Sequence, residues 1–155
     1  MAGVQTCALP ISGLSDIDLL AAPADDPELV CGECTVIVAA TSATTPILRS
    51  DWVQLGTHIT AVGSDTPEKQ ELDTGLLARA DRVVCDSLEQ CRLRGEVAQA
   101  LREGVLDEEA VVELGAVLSG AAPGRGAAEE VSICDLTGVA VQDLRIAEAV
   151  HGALG

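Results

Sequence analysis

The chain of 155 residues is long enough for one domain with an ordinary core, since 48% of its residues are apolar. Its 25 acidic and 9 basic residues give a net charge of -16, which repels nucleic-acid phosphates and anionic membrane surfaces. With no Phe or Tyr and a single Trp, the chain also lacks aromatic surfaces for stacking bases. We therefore expect neither nucleic acid nor a membrane as a partner.

The amino terminus shows no signal for secretion. It lacks a basic region followed by a continuous apolar core, and no apolar run in the chain approaches the roughly 20 residues that span a bilayer. We expect a cytoplasmic protein. Residues 1–12 have neither a helical nor a strand period, and we interpret them as a non-native extension. Residues 13–138 are predicted to form one α/β domain, and residues 139–155 a closing helix.

Short apolar runs rich in β-branched residues alternate with helical patterns along the rest of the chain. The predicted strands are residues 35–41, 59–62, 82–86 and 131–135. The predicted helices start at Asp26-Pro27-Glu28, cover 72–80, follow Ser87 with Gln90 at the capping-box distance, cover 97–102 up to Gly104, and cover 111–118 and 139–154. This alternation predicts a parallel sheet with flanking helices.

The cysteines are predicted to be free thiols. Cys85 and Cys134 lie inside strand-like runs, where cysteine behaves as a small buried hydrophobic residue. Cys31-Gly-Glu-Cys34 has the spacing of half a zinc site or of a redox pair, but the chain offers no second pair to complete four ligands. We expect no metal site.

The stretch from residue 56 to residue 73 concentrates charged groups after a strand. The apolar run ends at Val62-Gly63-Ser64, and Asp65 follows beside a proline turn. Ligands of open α/β sheets bind outside the carboxyl ends of the strands, so Asp65 is a candidate acid or base. Its alternative is a turn-forming aspartate.

Other polar residues of this stretch have structural predictions. Glu71 and Asp73 are predicted to lie at a helix N-terminus and to be stabilised by its dipole. His58 lies within the strand, where a structural histidine is expected. From its position alone, Lys69 is a solvated lysine at a helix start.

An ordered set of short motifs over about residues 35–149 resembles the ornithine cyclodeaminase and μ-crystallin family. The motifs are Ala40-Thr41-Ser42-Ala43, Pro46-Ile47-Leu48, Gly56-Thr57-His58-Ile59, Val62-Gly63-Ser64-Asp65, Lys69-Gln70-Glu71-Leu72-Asp73, Gly95-Glu96, Glu113-Leu114-Gly115, Gly124-Arg125, Asp135-Leu136-Thr137-Gly138 and Ala140-Val141-Gln142-Asp143. The resemblance implies part of a Rossmann-type NAD(P)-binding domain. No G-x-G-x-x-G motif follows a strand, so the first βα unit with its glycine-rich loop is expected to be missing.

The resemblance also implies roles for individual residues. Asp65 stands where the family's cyclodeaminases have their catalytic aspartate. The cofactor-binding positions would be Thr41, Ser42, Val62, Gly63, Lys69, Leu136 and Thr137. Several family members carry Ser where this chain has Leu136.

The function that the resemblance implies is NAD(P)-dependent hydride transfer on an amino acid or cyclic imine, with deamination and cyclisation or with imine reduction. The substrate would be a small molecule, and the full-length protein a homodimer of which this chain is the carboxy-terminal part. The alternative is a non-catalytic NAD(P)-binding protein of the μ-crystallin kind. Asp65 favours the enzyme, since binding members of the family tend to lack it.

Overall fold

The computed structural model describes residues 26–154. Its strands are β1 (Val36–Ala39), β2 (His58–Ala61), β3 (Arg82–Cys85), β4 (Val111–Glu113) and β5 (Ser132–Asp135). Its α-helices are α1 (Pro27–Glu33), α2 (Thr74–Arg79), α3 (Leu88–Cys91), α4 (Glu96–Glu103), α5 (Leu114–Leu118) and α6 (Ala140–Leu154). A single 3-10 turn, Glu108–Ala110, precedes β4 within this part of the chain.

The strands form one parallel sheet in the order β1-β2-β5-β3-β4. Ile59 pairs with Ile37 on one side and with Ile133 on the other, and Ile133 pairs in turn with Val83. The strand that comes last in the chain therefore lies between β2 and β3. This insertion brings the loop after β5 next to the loop after β2, and it confirms the predicted α/β class with a parallel sheet.

The core lies on one face of the sheet. The side chains that align across four neighbouring strands are buried there: Ile37, Ile59, Ile133 and Val83. Leu76 and Leu77 of α2 and Val97 of α4 pack against them. Burial of each such aliphatic side chain contributes about 2 kcal/mol. The opposite face is more open, because Val36 and Val38 of β1 are each 65% exposed. The packing of α2 and α4 on the core face therefore stabilises the sheet.

Several predicted helix boundaries are confirmed. Asp26 accepts a hydrogen bond from the Glu28 N–H at 2.9 Å, and Pro27 begins α1. Asp73 caps α2 by accepting from the Gly75 N–H at 2.8 Å. Gly104, in the left-handed conformation, ends α4. The short-range capping rules therefore fix these ends.

Two predictions about the carboxyl half are wrong. Residues 111–113 were expected in a helix but form β4, because this β-branched run pairs with β3 and only residues from Leu114 onward are helical. Ser87 makes no side-chain capping bond, so the predicted capping box with Gln90 is absent from the described structure. The Leu88 N–H instead donates to a Glu113 carboxylate oxygen at 2.9 Å.

Helix α4 is capped from a distant strand. Its N-cap residue, Gly95, has no side chain, and the Asp135 carboxylate at the end of β5 accepts from the Val97 N–H at 2.9 Å. Gly95 has a φ of 88°, and a Cβ there would lie 2.6 Å from an Asp135 oxygen. Glycine is therefore required on two counts, conformation and space.

Burial raises the pKa of Asp135 from 3.8 to about 7. The charges of Glu96 and Asp86 also raise it, while the N–H groups of Val97 and Glu96 lower it. Asp135 therefore binds its proton more tightly in the folded chain than in the unfolded one.

We predict that Gly95→Ala destabilises the chain by more than about 2 kcal/mol, because it adds backbone strain and a clash with Asp135. Gly104→Ala is the matched control, since Gly104 also has a positive φ but nothing within 4 Å of an added Cβ. The control should cost only about 1 kcal/mol. Urea denaturation measures both, and equal losses would contradict the role given to the Asp135 contact.

A second prediction concerns pH. Because the pKa of Asp135 is higher in the folded chain, its contribution to stability is complete below about pH 4 and is lost as pH rises to about 7. Asp135→Asn should flatten this fall, which amounts to at most about 4 kcal/mol. Glu108→Gln is the control: Arg92 lowers the pKa of Glu108, so its loss should leave the slope between about pH 5 and 7.5 unchanged. An unaltered slope in Asp135→Asn would refute the prediction.

Candidate functional site

The carboxyl edge of the sheet gathers the predicted cofactor positions. Thr41 and Ser42 follow β1, Val62 and Gly63 follow β2, and Leu136 and Thr137 follow β5. These three strands are neighbours in the order β1-β2-β5. Ser42 and Val62 are exposed, whereas Thr137 is buried. The three loops form a continuous rim of mostly small residues.

Asp65 and Lys69 form an exposed ion pair beside this rim. Lys69 Nζ lies 2.5 Å from Asp65 Oδ1, and the Asp65 side chain is 57% exposed. The hydrogen bond from Lys69 lowers the pKa of Asp65 below its ordinary value. Asp65 is thus an ionised, accessible acceptor, and Lys69 is the group that a ligand would have to displace from it.

Glu71 does not behave as the sequence predicted. Helix α2 begins only at Thr74, and Glu71 is fully buried below the rim. Its carboxylate accepts the Thr41 N–H at 2.5 Å and the Gly63 N–H at 2.8 Å. The prediction that Glu71 lies at a helix N-terminus is wrong because the loop after β2 turns inward before the helix starts. Glu71 joins the loops that follow β1 and β2.

Glu96 supports Glu71 from below. It is fully buried at the start of α4 and accepts the N–H groups of Glu71 and Leu72 at 2.8 and 2.9 Å. The Ser64 hydroxyl donates to the same carboxylate. Burial raises the pKa of Glu96 and the neighbouring Glu71 charge adds to the rise, while the three hydrogen bonds oppose it.

Asp86, at the end of β3, holds the loop after β5. One of its oxygens accepts the Thr137 hydroxyl at 3.2 Å, and the other accepts the Gly138 N–H at 2.8 Å. The Thr137 side chain is therefore already bonded within the protein. The sequence offered one signal for Asp86 and Asp135: each stands at the carboxyl end of a strand, in the repeated pair Cys-Asp.

A cavity of about 290 Å³ lies on the open face of the sheet. We call it the sheet-face cavity; its polar lining includes His58, Thr60, Arg82, Arg125 and Ser132. His58 Nδ1 lies 2.8 Å from Ser132 Oγ, and Nε2 lies 3.1 Å from Thr60 Oγ1. Burial, followed by the charge of Arg125, lowers the pKa of His58. A neutral ring with both nitrogens hydrogen-bonded agrees with the predicted structural role.

Within residues 26–154, no three His, Cys, Asp or Glu side chains are grouped in a way that could hold a metal ion. Cys85 and Cys134 are buried in their strands as predicted. No helix in the described part of the chain has the length and apolar character needed to cross a membrane.

Known proteins share this architecture. The iminosuccinate reductase of Paracoccus denitrificans is 49% identical over 118 residues, which are 76% of this chain and 36% of that protein. Its structure in complex with NAD+ matches with a TM-score of 0.76 over 80% of this chain and 38% of that one, at 47% identity. The Δ1-pyrroline-2-carboxylate reductase of Thermococcus litoralis, solved with NADH and L-proline, has a TM-score of 0.74 at 26% identity over 77% of this chain and 38% of its own.

The alanine dehydrogenase of Archaeoglobus fulgidus is 40% identical over 126 residues, or 81% of this chain and 39% of that protein. An archaeal alanine dehydrogenase dimer with bound NAD has a TM-score of 0.72 at 42% identity, over 77% of this chain and 37% of its own. The chain spans less than two fifths of the length of these relatives. Their structures confirm a partial Rossmann-type α/β fold. Residues 3–154 match the model of one family, so the chain belongs to the ornithine cyclodeaminase/mu-crystallin family.

Proposed function

We propose that this chain is the nicotinamide-side part of a longer NAD(P)-dependent enzyme that acts on amino or imino acids. One observation carries the proposal: three neighbouring strand ends form a rim of small residues, and an exposed carboxylate–ammonium pair, Asp65 and Lys69, stands beside it. The iminosuccinate reductase and the archaeal alanine dehydrogenase, both at least 40% identical to this chain, were solved with NAD+ or NAD.

The described residues fit one end of a dinucleotide better than the other. Ser42 and Val62 are exposed on the rim and can contact a flat nicotinamide ring and its ribose. The Thr41 and Gly63 N–H groups, which could otherwise bind phosphate oxygens, are donated to the Glu71 carboxylate, and its charge disfavours a diphosphate at these loops. We therefore assign the nicotinamide half to these loops and place the diphosphate outside residues 26–154. Bound NAD(P) would exchange a hydride with the α-carbon of the substrate.

Asp65 is proposed to move the proton that accompanies this exchange. Its carboxylate is exposed and ionised, and its N–H donates to the Gly63 carbonyl oxygen at 3.1 Å, which keeps Asp65 beside the loop after β2. Lys69 keeps Asp65 charged until a ligand separates the pair. When the pair opens, the pKa of Asp65 rises towards its ordinary value, which makes it a better base.

Imine reduction is the direction that we favour. Reductases of iminosuccinate and of Δ1-pyrroline-2-carboxylate are among the proteins that match this chain. Deamination with cyclisation, a lyase reaction, needs the same hydride transfer and a further ring closure. The groups that would choose between them, those that bind the substrate side chain, are proposed to lie in the remainder of the protein.

The remainder of the protein is also proposed to cover α6. Five apolar side chains of this helix are more than half exposed, which favours packing against another domain. They are Val141, Leu144, Ile146, Val150 and Leu154.

One matching alanine dehydrogenase is a dimer, and we propose the same for the full-length protein. The five cysteines in the described part of this chain are free thiols, which suits the proposed location in a reducing cytoplasm.

We predict that Asp65→Asn lowers kcat/KM between about a hundredfold and ten-thousandfold, because it removes the carboxyl group that exchanges the proton with the substrate and keeps the shape. The variant is measured in a chimera in which residues 26–154 replace the matching part of the P. denitrificans iminosuccinate reductase. Glu68→Gln is the matched control, since Glu68 is exposed and three residues away. Unchanged turnover in Asp65→Asn, with NADH still bound, would instead support the non-catalytic nucleotide-binding alternative.

Lys69→Met in the same chimera, assayed as amine oxidation with NAD+ so that Asp65 acts as the base, should shift the acid limb of the pH profile of kcat/KM to higher pH. The reason is that the hydrogen bond and charge of Lys69 hold the pKa of Asp65 low, and methionine supplies neither. Lys69→Arg keeps the charge and should leave the limb close to its original position. An acid limb that stays in place in Lys69→Met would show that Asp65 is not the titrating base.

A further inference from the structure

We infer that Glu71 is a positioning residue for the cofactor: its buried carboxylate sets the spacing of the loops that follow β1 and β2. The inference rests on the proposed function, because those loops are the ones assigned to the nicotinamide half. It goes further in assigning a role to a residue that has no exposed atom and cannot itself contact a ligand.

The contacts of the Glu71 side chain carry the inference. Its two oxygens accept N–H groups from two different strands' loops, Thr41 at 2.5 Å and Gly63 at 2.8 Å. Hydrogen bonds from N–H groups to a carboxylate are stronger than bonds between neutral groups. Separating the two loops would leave a buried carboxylate or a buried N–H without its partner, which is costly.

The loops after β1 and β2 are packed so closely that no space remains between them for a side chain at Gly63. A Cβ on Gly63 would lie 2.1 Å from the Thr41 carbonyl oxygen and 2.6 Å from the Glu71 carboxylate. The loops therefore touch, and only glycine permits this approach. A shift of Glu71 would move Thr41 and Gly63 together with the exposed residues beside them, Ser42 and Val62.

The backbone of Glu71 is fixed as firmly as its side chain. Its carbonyl oxygen accepts the N–H groups of Ile47 and Leu48 at 2.8 and 3.0 Å, and its own N–H donates to Glu96. The same Glu96 carboxylate binds the Ser64 hydroxyl. The backbone of Glu71 is thus held in place by hydrogen bonds. The two bonds of its side chain therefore fix the positions of the loops relative to the core.

Glu71→Gln tests this role with little change of shape. The glutamine oxygen can accept only one of the two N–H groups, and its NH2 group then faces the other donor. In the chimera we expect the dissociation constant and the KM for NADH to rise on the order of tenfold. At saturating NADH, kcat should stay within about twofold, as expected when an interaction common to ground and transition states is lost.

Asp73→Ala is the matched control for general destabilisation. It removes the α2 cap, the bond to the Gly75 N–H, from the same segment without touching the rim. Its melting temperature should fall while its affinity for NADH is kept. Equal weakening of NADH binding in both variants would show a merely structural effect and overturn the inference.

Amide hydrogen exchange on the 155-residue chain gives a readout that needs no cofactor. In Glu71→Gln, the amide of Thr41 or of Gly63 should exchange on the order of tenfold faster, while that of Gly75 is unchanged. In Asp73→Ala, the opposite pattern is expected. If the unsubstituted chimera fails to bind NADH, the proposed function fails. Unchanged exchange at both Thr41 and Gly63 contradicts the positioning role itself.

Discussion

Buried carboxylates that accept loop N–H groups are the constraint on which this structure depends. Glu71, Glu96 and Asp135 are fully buried at the carboxyl edge of the sheet, and half-buried Asp86 lies beside them. Glu71, Glu96 and Asp86 accept N–H groups of loops, and Asp135 accepts the Val97 N–H in the first turn of α4. A carboxylate without partners is very costly to bury, so each acid and its loop are stable only together. The sheet edge is therefore fixed by polar contacts where the apolar core ends.

This arrangement separates two kinds of acid. The buried carboxylates have their oxygens occupied by backbone groups and determine the shape of the rim. Asp65 differs because it is exposed and is bonded to Lys69, a side chain that can move away. A site built in this way keeps its loops rigid while one carboxylate remains available for proton transfer, which is the condition for efficient acid–base catalysis.

The sequence predicted the sheet because strands follow from local patterns, whereas the positions of the rim came from the family resemblance. Short apolar runs mark four of the five strands, and parallel strands place the residues that follow them at one edge. The sequence-based prediction missed strand β4, because the Val111-Val112 run is too short to show the alternation of a strand. It also failed for Glu71, whose partners Thr41 and Glu96 are 30 and 25 residues away. No local pattern reports a contact across that distance, and a Glu before a helix suggests only its dipole.

A crystal structure of the chimera with NAD+ tests the central claim most directly. The nicotinamide end is expected to lie against the loops after β1, β2 and β5, beside Ser42 and Val62, with both Glu71 bonds intact. A nicotinamide end bound in the sheet-face cavity, near His58 and Arg125, or loops that no longer contact Glu71, would contradict it.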